Sequence, residues 1–208
     1  MERAASGAGA TISRCILIRQ RSTWRVLAML NAGDFVLIQF GHNDGGPLND
    51  ASRARGTIKG VGEQSEEIDN LLTKEREVVH SYGWYLRKFV ADARAKAQRR
   101  SSARLCHGKP WRDGRIARNT RDYAGWAQEV ATAAAVPLLD LNELIAQRYE
   151  SLGHEKVNAL FADEHTHTSA AGAELNADVV VAALQTLPTN PLKAFLRAVP
   201  DRRAVPAR

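Results

Sequence analysis

The sequence predicts an α/β fold built on a parallel sheet, and three observations carry that expectation. Phe35-Val36-Leu37-Ile38-Gln39-Phe40 is a short apolar run of the kind that forms a strand buried on both faces. Val136-Pro137-Leu138-Leu139-Asp140-Leu141 is a second such run. Between and after them apolar residues recur at helical spacing, and strands alternating with helices are the pattern of a parallel sheet. The 208 residues are 44% apolar, ample for one globular domain with a two- or three-layer core.

Taken in order, residues 1–23 mix Gly, Ala, Ser and Arg without a period and read as loop with a short helix. Trp24, Val26, Leu27 and Leu30 have helical spacing and stop at Asn31-Ala32-Gly33, a C-cap sequence. The strand over 35–40 follows. Residues 45–74 are polar and rich in Gly, Asn and Asp, a long loop of the kind that lines a site. A helix is expected over 78–97, with Trp84, Tyr85, Phe89, Val90 and Ala93 on its apolar face. Residues 98–107 are anomalous: a doubly wound fold needs an apolar strand there, and the sequence offers Gln-Arg-Arg-Ser-Ser-Ala-Arg-Leu-Cys-His. Tyr123, Trp126, Ala127 and Val130 mark a helix over 123–135, followed by the strand over 136–141. Residues 142–152 form another helix with Leu144, Ile145 and Tyr149 inward. Thr168 or Ser169 caps a last helix reaching residue 187, with Leu175, Val179, Val180 and Leu184 inward. The tail from Pro188 is expected to be loose. Neither repeats nor a linker interrupt residues 1–187, so a single domain is expected.

Composition excludes some classes. Cys15 and Cys106 are too few for a disulfide framework. No apolar run reaches the roughly 18 residues of a membrane span. The cluster Cys15-Ile16-Leu17-Ile18 falls short of the ~7–15 residues of an export signal, so a cytoplasmic location is expected. The net charge of +6 is concentrated in residues 94–121, where ten Lys and Arg face one acid, Asp113. With Trp111 as its one aromatic residue and no docking motif, such a block is read as a solvated surface; neither a nucleic acid nor a membrane is expected as a partner.

Two segments carry chemistry. Gly41-His42-Asn43-Asp44 ends the first strand, and ligands of open α/β sheets sit beyond the carboxyl ends of strands. Asp163-Glu164-His165-Thr166-His167-Thr168-Ser169 sets acids and imidazoles just before a helix. An amide donor and an acid–His pair are two parts of an acyl-transfer apparatus. Plainer readings stand beside this one. Asn-Asp-Gly-Gly is good turn chemistry, and the second segment also suits a surface cluster, or a metal pair lacking a further ligand.

Together the two segments resemble the third and fifth sequence blocks of the SGNH or GDSL hydrolases, in the rhamnogalacturonan acetylesterase-like branch. The likeness extends over residues 24–187. It implies a three-layer α/β/α, flavodoxin-like fold with a parallel sheet. It also implies a Ser–acid–His triad acting on acylated carbohydrate, with no metal and no cofactor. By position, Asn43 matches the oxyanion-hole amide and His167 the general base. The orienting acid stands three residues before the base, at Glu164, with Asp163 one step further; both remain candidates. Ser6-Gly7 resembles the second block, in which the Gly7 N–H completes the oxyanion hole.

One departure matters. Family members carry Gly-Asp-Ser after their first strand, and this sequence has none; its only Gly-Asp, Gly33-Asp34, precedes a strand. Ser6, Ser13 and Ser22 follow no apolar strand. The expectation is a truncated copy whose first strand and nucleophile lie upstream of Met1 in a longer, exported relative. The alternative is an inactive remnant, or a sugar-binding α/β domain.

Overall fold

The computed structural model describes residues 25–54, 56–96, 99–103, 111–118, 121–163, 166–188, 190 and 192–196. Along the chain these form α1 (Arg25–Met29), β1 (Phe35–Ile38), β2 (Ser65–Asp69), β3 (Arg76–His80), α2 (Tyr82–Lys96), β4 (Arg99–Ala103), β5 (Trp111–Arg112), β6 (Arg115–Ile116), α3 (Tyr123–Ala133), β7 (Leu138–Leu139), α4 (Leu141–Leu152), α5 (His154–Asn158) and α6 (Ala170–Gln185). They fall into two compact units, Met1–His107 with Asn119–Asp140, and Gly108–Arg118 with Leu141–Arg208.

The first unit is organised by α2. Tyr82, Tyr85, Leu86, Phe89, Val90 and Ala93 recur every three or four residues and are all buried. They pack with Val36 and Ile38 of β1 and with Tyr123, Ala127, Val130 and Ala131 of α3. Full burial of a side chain such as Phe89 contributes about 2–3 kcal/mol. Both helices start on a side-chain cap: the Ser81 hydroxyl accepts from Trp84 N (3.1 Å), and the Asp122 carboxylate from Ala124 N (3.2 Å). The sheet runs β1-β4-β7, parallel throughout, with Phe35 opposite Arg99 and Ala103 opposite Leu139.

Four expectations are corrected here. The segment judged unfit for a strand, Arg99-Arg100-Ser101-Ser102-Ala103, is β4 and occupies the middle of the sheet. Its backbone is bridged by β1 on one side and β7 on the other, and that ladder leaves no trace in an apolar pattern. Residues 45–74 are not loop throughout, since β2 pairs antiparallel with β3. The helix expected from residue 78 begins at Tyr82, because Val78 and Val79 belong to β3. Both apolar strands are shorter than expected.

In the second unit β5 and β6 form a hairpin whose turn, Asp113-Gly114, has positive φ at both positions (50° and 76°), the geometry of a tight two-residue connection. Arg118 follows it and donates to Glu143 (2.9 and 3.1 Å) and to both Glu150 oxygens. Glu150 also accepts from Ile116 N (2.8 Å). Hydrogen bonds from Arg118 hold both carboxyls below their usual range. Two basic residues of the 94–121 block therefore serve structure, Arg118 here and Arg94 by donating to the Ala134 carbonyl in the first unit. The Tyr149 hydroxyl donates to Asn176 (3.0 Å), tying α4 to α6. The last helix runs from Ala170 to Gln185, with Leu184 buried and Leu175, Val179 and Val180 half-buried.

Among the described residues, no helix is long and apolar enough to cross a membrane. Ser6, Gly7, Ser13, Cys15, Ser22, Cys106, Glu164 and His165 lie outside the described residues, as does most of the tail after Pro188.

Candidate active site

β1 delivers the first candidate. Val36 and Ile38 anchor the strand in the core, and the chain leaves it through Gly41, whose φ of 126° belongs to glycine. The turn is closed by Asp44 N donating to the Gly41 carbonyl (3.3 Å) and Gly46 N to that of Asn43 (3.2 Å). Asn43 is half-buried and Asp44 fully buried. The Tyr82 hydroxyl donates to the Phe40 carbonyl (2.9 Å), fixing the approach to the turn from below.

The loop beyond is folded back on itself. Thr57 N donates to the Asp44 carbonyl (3.0 Å) and Gly56 N to that of Pro47 (2.9 Å). A Cβ at Gly56 would overlap the Gly46 carbonyl, so the two limbs meet backbone to backbone. Asn49 then ties the loop to the β2–β3 hairpin, donating to the Asp69 carbonyl (3.0 Å) and accepting from Leu71 N (2.8 Å).

Beneath the turn lie polar groups that sequence reasoning missed: Thr57, Tyr82 and Tyr123 around Asp44. Burial pushes both phenols up, Tyr123 to about 12, and the Asp44 charge adds to that. Tyr82 and Tyr123 read as ordinary core residues at helical spacing, and nothing in the sequence separates the two roles.

The second candidate is built by the turn before α6. Phe161 and Thr168 form an antiparallel bridge, Ala162 N donates to the His167 carbonyl (2.7 Å), and Ser169 N donates to that of Leu160 (2.9 Å). Ser169 then caps α6 by accepting from Gly172 N (3.3 Å). Inside this turn the Asp163 carboxylate accepts from Thr166 N (2.6 Å), His167 N (2.9 Å) and the His167 ring through Nδ1. A carboxylate on Nδ1 fixes the tautomer with the proton there, which leaves Nε2 as the basic nitrogen. The His167 side chain is 79% exposed, so that nitrogen is open to a substrate. The structure thus joins Asp163 to His167. Asn43 belongs to the first unit and His167 to the second. Among the described residues, no three His, Cys, Asp or Glu side chains gather as metal ligands.

Residues 2–175 match the GDSL-like lipase/acylhydrolase family. The chain belongs to that family. The chain is 30% identical over 156 residues to a rhamnogalacturonan acetylesterase of Emericella nidulans, covering 75% of this chain and 62% of the relative. It therefore spans less than two thirds of that relative's length. It also resembles the crystal structure of protein YXIM from Bacillus subtilis, with a TM-score of 0.62 at 21% identity over 85% of this chain and 43% of the other. The chain accordingly has the GDSL-type hydrolase fold.

Proposed function

We propose that this protein is a carbohydrate esterase, one domain over residues 1–187 with the three-layer α/β/α arrangement, removing acetyl groups from pectin-type polysaccharide. The observation that carries the reading is the Asp163–His167 pair, an oriented imidazole presented at the head of a helix in a member of a hydrolase family. The named activity of the Emericella nidulans relative supports the substrate class.

In this reading His167 is the general base, Asp163 orients it, and the Asn43 amide donates to the developing oxyanion with the Gly7 N–H. One such donor is worth roughly 3–4 kcal/mol to the transition state. The 208 residues contain no Gly-Asp-Ser; with these residues alone, His167 takes the proton of a water, a slower route than attack by a triad serine. With no Gly-Asp-Ser among these 208 residues, a second reading stands beside it, a domain that binds the acylated sugar without cleaving it.

Release of p-nitrophenol from p-nitrophenyl acetate, and of acetate from acetylated pectin fragments, decides between them. Turnover that disappears in His167→Ala supports the esterase. Well-folded protein that retains pectin fragments on a column yet releases no acetate supports the binding domain.

A further inference from the structure

The Tyr123 hydroxyl has no role in the packing of its own ring. The ring meets Tyr82 edge-on at 5.0 Å and Trp126 at 4.8 Å, contacts that phenylalanine would make equally well. A buried hydroxyl is costly to desolvate and is kept where it has polar work. Tyr123 is 8% exposed and Thr57 3% exposed, and neither hydroxyl has a partner in hydrogen-bonding geometry among the described residues. They are nonetheless neighbours: the Thr57 hydroxyl draws the phenol back toward its ordinary pKa, and the Asp44 charge acts on the same phenol. The phenol also lies beside the turn itself. Its oxygen stands 3.6 Å from where a Cβ would project from Gly45, two residues past Asn43. Asp122, as the cap of α3, fixes the helix end from which Tyr123 reaches this place.

We propose that Tyr123 is a positioning residue for Asn43: its hydroxyl joins the Thr57 hydroxyl and the Asp44 carboxylate in one buried polar cluster that sets the turn carrying the Asn43 amide. The cluster acts from beneath. Asp44 is the residue after Asn43, its carbonyl is held by Thr57 N, and the phenol lies beside Gly45, the residue that follows. Its catalytic relevance rests on the reading of Asn43 as oxyanion donor.

Tyr123→Phe removes the hydroxyl and keeps the ring; Thr57→Val removes the other hydroxyl and serves if the first variant folds poorly. Hydrogen–deuterium exchange of the intact chain is the first measurement. Exchange in peptides covering residues 41–57 rises about tenfold in either variant while α2 and α3 stay protected. Unchanged exchange over 41–57 overturns the proposal, as does exchange that rises equally everywhere. Kinetics on p-nitrophenyl acetate is the second. The expected result is a kcat about tenfold lower with KM unchanged, and no additional loss when Tyr123→Phe is placed on Asn43→Ala. Losses that multiply in the double variant overturn the positioning role. Should Asn43→Ala leave turnover intact, the oxyanion reading of Asn43 fails by itself, and exchange alone decides whether the cluster braces the turn.

Discussion

Asp163 is held from three directions, by two backbone N–H groups and by the imidazole it serves, so its carboxylate has little freedom to turn away. The spacing of the family's fifth block favoured Glu164 as the orienting acid, and that residue lies outside the described ones; the hydrogen bond described is that of Asp163 with His167. Replacing one carboxylate oxygen by an amide tests the choice without changing shape. Asp163→Asn should cost about 10²–10⁴ in kcat by upsetting the His167 tautomer. Glu164→Gln should stay within a few-fold of the parent, and the reverse ranking in the acetate-release assay would return the role to Glu164. Asn43 and His167 were singled out in the sequence by their places in the family's third and fifth blocks. Thr57 and Tyr123 were not, because a buried hydroxyl looks like any other residue until its surroundings are seen.

The turn that presents His167 depends on Gly172 in the first turn of α6. A Cβ there would run into the Leu160 carbonyl, which is already bound by Ser169 N. Gly172→Ala is therefore expected to destabilise by about 1–3 kcal/mol, as overpacking does. Urea unfolding checks the number, and an unshifted midpoint would show that the turn yields without cost. The elements themselves were legible wherever burial wrote a period. α2 and α3 each present an apolar face every three to four residues, and β1 and β7 lie in apolar runs. β2 was not, since Ile68 is the only buried residue among Ser65, Glu66, Glu67, Ile68 and Asp69. β3 was misread because Val78 and Val79 extend the apolar spacing of α2 backwards, although Val78 is exposed. The Asp113-Gly114 hairpin was hidden inside a stretch read only for its charge.

Stability against pH is a property of the whole molecule, and two sets of groups shape it. Glu143 and Glu150 are depressed in the folded state by Arg118. Their contribution is present above the ordinary carboxylate value of 4.5 and fades as pH falls through their lower folded values. Tyr123 is raised from 10.0 to about 12, so its contribution is intact below 10 and is lost as pH climbs toward 12. Thermal melting should show a plateau between these limbs, and Tyr123→Phe should make the alkaline one shallower, the part due to buried Tyr82 remaining. An alkaline limb that is identical in the variant would assign it to other groups. One further consequence belongs to the strand at the middle of the sheet. Parallel sheets assemble late, because their partners are distant in the chain, and sticky central strands are then a hazard to a nascent polypeptide. Here that strand is spelled Arg-Arg-Ser-Ser-Ala, a segment water tolerates. It can wait, uncovered, for neighbours made long before and long after it, with little tendency to seed fibrils meanwhile.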